Sequence, residues 1–201
     1  MNFRKFIISS LIVISYSVIS AQGFKAGIIM GINMAQIEGD LLFGYNKIGL
    51  SAGGRVGYGL KDNMELSVEF LFSQRGAKER LFNSSEFNPD IRLTYLELPL
   101  VFSLKDWLIE KGNYHKVRAD IGVSTGYLFH SNANFDQFVE ILPDLKRIDF
   151  SYLAAVGMNF TKNIGVSIRY TRSLTPIFGP TVWGTERMLS YFLTFRIEYN
   201  F

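Results

Sequence analysis

A histidine beside a serine, with an acid close by, is the residue set that activates a hydroxyl nucleophile, and His130, Ser131 and Glu140 form one such set here. The spacing works against it. The pair ends an alternating stretch in which neighbours point to opposite faces, so His130 does not readily reach the Ser131 hydroxyl. The second histidine, His115, has no acidic cluster beside it, and two separated histidines make no zinc site. The absence of Cys removes disulfides, thiol catalysis and thiolate-bound zinc. The runs "SAGGRVGYG" and "GYGLKDN" are glycine-rich, but no helix and no Lys-Ser/Thr pair follows, so neither reads as a phosphate loop. No cofactor and no metal is expected.

What remains is charge in a regular pattern. Lys25, Arg55, Arg118, Arg169 and Arg196 on one side of the ledger, and Glu65, Glu69, Glu97, Asp120 and Glu198 on the other, each sit in a stretch that alternates polar with apolar. Such alternation marks a strand with two different faces. Eight of these stretches are present: Phe24–Asn33, Ile48–Leu60, Met64–Ser73, Ile91–Ser103, Val117–Phe129, Phe150–Phe160, Ile164–Thr171 and Leu189–Phe201. The last is the clearest, with Leu189, Tyr191, Leu193, Phe195, Ile197, Tyr199 and Phe201 at every second position and Phe192 as an apolar intruder on the other face.

The elements that must position these charges follow from length and connection. Most stretches come close to the ~9–11 residues that a tilted strand needs to cross a bilayer. "KDN" and "TKN" are tight turns, whereas Met34–Lys47, Gln74–Asp90, His130–Asp149 and Ser173–Met188 are long connections. Short turns on one side and long loops on the other describe a membrane barrel. The exception is "LKDWLIEKGNYHK", residues 104–116, which is long on the short-turn side and reads as a small helix or an extended hairpin. The N-terminal "MNFRKFIISSLIVISYSVISAQ" has a basic start at Arg4 and Lys5, an apolar stretch and a small residue, Ala21, which predicts a signal peptide over 1–21 and a mature barrel over 22–201. Removing Arg4 and Lys5 from 21 basic residues leaves 19 against 18 acidic ones, a balance that gives no electrostatic case for nucleic acid.

One face of the stretches is Leu, Ile, Val, Phe and Tyr, while the other is mostly Gly, Ser, Thr and charge. A small eight-stranded barrel has room inside only for side chains. The apolar face therefore points outward, which lipid tolerates, and closure is required because a strand in lipid can leave no edge unpaired. The predicted fold is all-β, an eight-stranded antiparallel up-and-down transmembrane β-barrel. The ten charges then line the lumen as a salt-bridge network, since unpaired buried charge strongly destabilises. Symmetry of the "KDN" turn about Asp62 sets Arg55 opposite Glu69 as a cross-strand pair, and symmetry about Lys162 sets Arg169 opposite Ala155. Pro99, inside a strand, predicts a bulge. Phe43, Tyr45, Phe82, Phe87, Phe135, Phe138, Phe178 and Trp183 read mainly as an interfacial aromatic girdle.

With its "YLELPL" strand, Gly- and aromatic-rich stretches and terminal "FRIEYNF", residues 22–201 resemble the PorT-like outer-membrane β-barrel family of Bacteroidota. The resemblance implies a small barrel of OmpA/OmpX architecture in a Gram-negative outer membrane, surrounded by its lipid. It implies that Phe195, Tyr199 and Phe201 serve as a signal to the barrel-assembly machinery, and that envelope or secretion proteins are partners. It supplies no catalytic residue. The expected role is non-enzymatic: binding, structural or secretion-associated. A lipid-modifying barrel enzyme and a small pore are the alternatives.

Overall fold

In a computed structural model, residues 23–38, 44–79, 89–134, 142–177 and 188–201 are described. The expected signal peptide, Glu140, and the aromatics Phe43, Phe82, Phe87, Phe135, Phe138, Phe178 and Trp183 lie outside them. The strands are β1 (Phe24–Glu38), β2 (Lys47–Lys61), β3 (Met64–Lys78), β4 (Asp90–Ile109), β5 (Tyr114–Ala133), β6 (Ile148–Asn159), β7 (Ile164–Ser173) and β8 (Leu189–Asn200). Each pairs antiparallel with its chain neighbours, and β8 closes on β1 from Gly27↔Asn200 to Glu38↔Leu189, giving a closed eight-stranded barrel. Closure removes every edge, so the barrel backbone is satisfied without water.

The two faces separate as alternation requires. Met30, Leu50, Phe70, Leu98, Ile121, Val156, Ile168 and Ile197 point outward and are exposed, forming an apolar belt. Their inward neighbours are buried, among them Asn33, Arg55, Glu69, Glu97, Ser124, Arg169 and Arg196. Several inward glycines make room for charged neighbours. A Cβ on Gly31 would lie 3.2 Å from Arg196 Cγ, one on Gly57 2.6 Å from Glu65 Oε1, and one on Gly126 2.9 Å from Arg75 Nη2. Aromatics gather at both ends of the belt. Phe24 packs on Tyr58 and Tyr199 on Phe201 at the short-turn end, while Tyr45 meets Tyr191 edge-on at the loop end.

Several elements depart from the sequence reading. The strands run further towards the loops, with β1 reaching Glu38 and β3 reaching Lys78. Residues 104–116 form an extended hairpin, closed by a single 3₁₀ turn at Glu110–Gly112. At 20 residues each, β4 and β5 are roughly 65 Å long and outreach the bilayer. Pro99 carries no bulge. The register is the same on both sides, Val68↔Leu100 and Leu71↔Glu97, and only the ladder to β3 is interrupted where the proline has no N–H to donate. The irregularity of β4 lies instead at Thr94/Tyr95, against β5.

The closing seam can be tested because the chain has no native thiol. Ile32 and Phe195 are partners across β1 and β8. Cysteines at both should oxidise to a disulfide in the folded protein, while an Ile32→Cys/Leu189→Cys pair should not; equal cross-linking of the two would exclude this closure. The folded barrel should also migrate differently from a boiled sample on an SDS gel.

Candidate functional site

The lumen holds the groups able to do chemistry, and alternate positions of β2 to β8 deliver them. In the half nearer the short turns, Arg55 Nη2 donates to Glu65 at 2.5 Å and Arg55 Nη1 to Glu198 at 3.2 Å. Lys105 Nζ takes the other Glu65 oxygen at 2.5 Å. Arg118 donates to Glu198, which also accepts from Ser167 at 2.8 Å, and Arg118 Nε lies 3.2 Å from Asp120. Deeper in, Arg169 grips Glu69 with two parallel bonds of 2.7 and 2.9 Å, and Arg196 adds a third at 3.0 Å. The Arg196 guanidinium stands 3.7 Å from Glu198, which joins the two groups into one network.

A second centre lies towards the loops. Arg75 is fully buried, 3.0 Å from Glu97 and 2.8 Å from Asp149. Asp149 also accepts from Ser173 and Thr175. The guanidinium is flanked by two rings, 3.9 Å from the centre of Tyr95 and 4.9 Å from that of Phe192. Cation–π contacts in a desolvated setting contribute ~2 kcal/mol. Beyond this centre, Ile37, Leu93, Tyr95, Leu128, Leu145, Ile177 and Met188 close the lumen with an apolar core. Backbone bonds from Lys146 to Ile177 and from Ile177 to Met188 stitch that cap together.

The charges of the two centres balance. Arg55, Arg75, Lys105, Arg118, Arg169 and Arg196 face Glu65, Glu69, Glu97, Asp120, Asp149 and Glu198. Between the centres, the space bordered by Glu97, Ser124, Arg169, Phe192 and Arg196 is only about 10 Å³. That is the volume of a single water at most.

Comparison with known proteins places this arrangement. Residues 20–179 match the family model described as an outer membrane protein β-barrel domain. The chain belongs to that family. Nothing matches among curated proteins. Among solved structures, this outer-membrane barrel is similar to Ail, the attachment invasion locus protein of Yersinia pestis, at 14% identity and a TM-score of 0.50, covering 89% of this chain and 99% of that one. It is also similar to Neisserial surface protein A, at 13% identity and a TM-score of 0.50, covering 89% of this chain and 97% of that one. Identities this low show the shared fold and nothing finer.

Of the residues singled out from the sequence, Arg55, Glu65, Glu69, Glu97, Arg118, Asp120, Arg169, Arg196 and Glu198 are buried in the barrel's lumen. Lys25 is different: it is exposed at the short-turn mouth and makes no ion pair among the described residues. Arg55 and Glu69 are register partners and Arg169 stands opposite Ala155. The ion pairs nevertheless ignore the nearest rung. Glu69 goes across the lumen to Arg169 and Arg196, and Arg55 goes to Glu65 further along the adjacent strand and to Glu198, because long side chains in a narrow lumen reach partners beyond the facing rung. Arg75, Lys105 and Asp149 escaped the sequence reading. All three fall on the inward parity of β3, β4 and β6, and extending the alternation past the assigned strand ends would have found them.

His130 and Ser131 both border a cavity of about 300 Å³ near the loops, beside Leu142, Pro143 and Arg147. Phe195, Tyr199 and Phe201 sit on the lipid side of β8.

Removing one partner of a buried ion pair costs about 3–5 kcal/mol, since the other charge stays buried. Glu69→Ala should therefore destabilise the barrel by about that amount in urea unfolding from lipid vesicles. The groups it orphans are Arg169 and Arg196, so Glu69→Ala/Arg169→Ala should recover part of the loss. Phe192→Ala opens a cavity beneath Arg75 and should cost ~3–5 kcal/mol. Unfolding of Glu69→Ala at the wild-type urea concentration would exclude the network as a stabilising element.

Proposed function

We propose that this protein is a plugged, non-conducting and non-enzymatic outer-membrane barrel that acts by contact, as a binding, structural or secretion-associated component of the envelope. The observation that carries this reading is the filled lumen. A balanced charge network occupies one half, an apolar cap closes the other, and the space between them is about 10 Å³. Solutes need a continuous aqueous path, and side chains take up the space where it would run.

The enzymatic alternative finds less support. Among the described residues, neither the His130 nor the Ser131 side chain makes a hydrogen bond, and the acid that would complete the set, Glu140, lies outside them. The "YLELPL" strand, Tyr95–Leu100, is the residue-level basis for a PorT-like role in which the partners are envelope or secretion proteins. Its tyrosine and glutamate belong to the Arg75 centre and its leucines at 96, 98 and 100 to the lipid belt, so the motif builds wall and plug together. Ail, named for attachment and invasion, shows that this fold is compatible with contact roles. The lipid-facing aromatics of β8, Phe195, Tyr199 and Phe201, suit presentation of that strand to the barrel-assembly machinery.

Reconstituted into planar bilayers, the protein should give no regular conductance steps. Consistent unitary steps would overturn the plugged reading. Phospholipid hydrolysis that disappears on His130→Ala substitution would instead establish the enzymatic alternative.

A further inference from the structure

The short-turn mouth of the barrel opens into a cavity of about 420 Å³, within the size range of small-molecule sites. Its walls are built rather than incidental. The projecting β4–β5 hairpin forms one side and is fastened to both neighbouring turns. Lys105 N–H donates to Asn63 O at 2.8 Å, Tyr114 O–H to Phe160 O at 2.9 Å, and the Asn159 side chain to His115 O at 2.8 Å.

The charge of this vestibule does not balance, although that of the lumen behind it does. Lys25, Arg55, Lys105, Arg118 and Lys162 line it against Asp62 and Glu65. Arg55 and Lys105 share Glu65, and Arg118 is engaged by Glu198. Lys25 and Lys162 make no ion pair among the described residues, and with the other lining charges already part of the balanced lumen only Asp62 offsets them, so one positive charge is surplus. Arg118 Nε, buried in the wall, lies 3.2 Å from Asp120 yet makes no hydrogen bond. A narrow cavity with one sign of charge in low-dielectric walls focuses its field on whatever enters.

We propose that this vestibule is a binding site for a compact, multiply charged oxyanion bearing phosphate or carboxylate groups. Lys25 from β1 and Lys162 from the β6–β7 turn would contact it at the rim, with Arg118 further in. Because the cavity opens along the barrel axis and not through the lipid-facing wall, the ligand enters from the aqueous side as a soluble molecule. The site lies at the opposite end from the long loops, so it stands independently of what those loops contact.

Inorganic pyrophosphate and citrate are suitable probes, titrated by calorimetry into the full barrel in an uncharged detergent at low salt. At least one should bind with one-to-one stoichiometry. The Lys25→Gln/Lys162→Gln variant should weaken it about tenfold, the loss of roughly 1.4 kcal/mol. Neither lysine supports an ion pair, so this variant should keep the wild-type gel shift between boiled and unboiled samples. Lys111→Gln, a charge removed from the same end but outside the cavity, should leave binding unchanged. Absence of binding by both probes at millimolar concentration overturns the proposal, as does equal weakening by Lys111→Gln, which would show unspecific charge attraction.

Discussion

Glu69 receives three hydrogen bonds from two arginines on other strands, Arg169 on β7 and Arg196 on β8. The barrel depends on such bonds because its geometry leaves no other place for charge. Lipid outside demands a closed ladder and an apolar exterior, which forces the charged residues of the membrane-crossing stretches inward. A lumen only a few side chains wide then excludes bulk water, so each inward charge needs a partner. The balance of six cations with six anions follows from that constraint. Glu198 does for β2 and β5 what Glu69 does for β7 and β8, and together they tie opposite walls across the axis.

The two halves of the lumen solve the same problem differently. Near the short turns the filling is ionic and leads out to an open, positively charged vestibule. Near the loops it is apolar, and Leu145, Ile177 and Met188 arrive from outside the strands or at their edge to complete it. Arg75 marks the boundary, with carboxylates at its donors and rings on its faces. A guanidinium suits this position because it is weakly hydrated, planar and able to stack while its edge hydrogen-bonds. The same centre joins β3, β4, β6 and β8, so the cap and the charge network are mechanically continuous.

Much of this was legible from alternation alone. The period of two separated the lipid face from the lumen face correctly on all eight strands, because a residue's side of a sheet is set by parity and not by its partners. The register of Arg55 with Glu69 was also legible, since a tight turn leaves little freedom in pairing. Phe192 looked like a flaw in the pattern, and its ring turned out to lie over Arg75. Strand ends were harder to read. Arg75, Asp149 and the 104–116 hairpin lie beyond the membrane-crossing length, where polar composition resembles a loop and pairing with a neighbouring strand keeps the backbone extended.

Sequence alone thus carried the class of fold, the sidedness of nearly every residue and the presence of an inner charge network, because these are local consequences of a two-residue repeat under the demands of lipid. It could not carry which charge meets which. Partner choice depends on distances across the lumen, and those exist only once β8 has closed on β1. That closure set Glu69 against Arg169 and Arg196, balanced the interior, and left Lys25 and Lys162 at the mouth without an ion pair among the described residues.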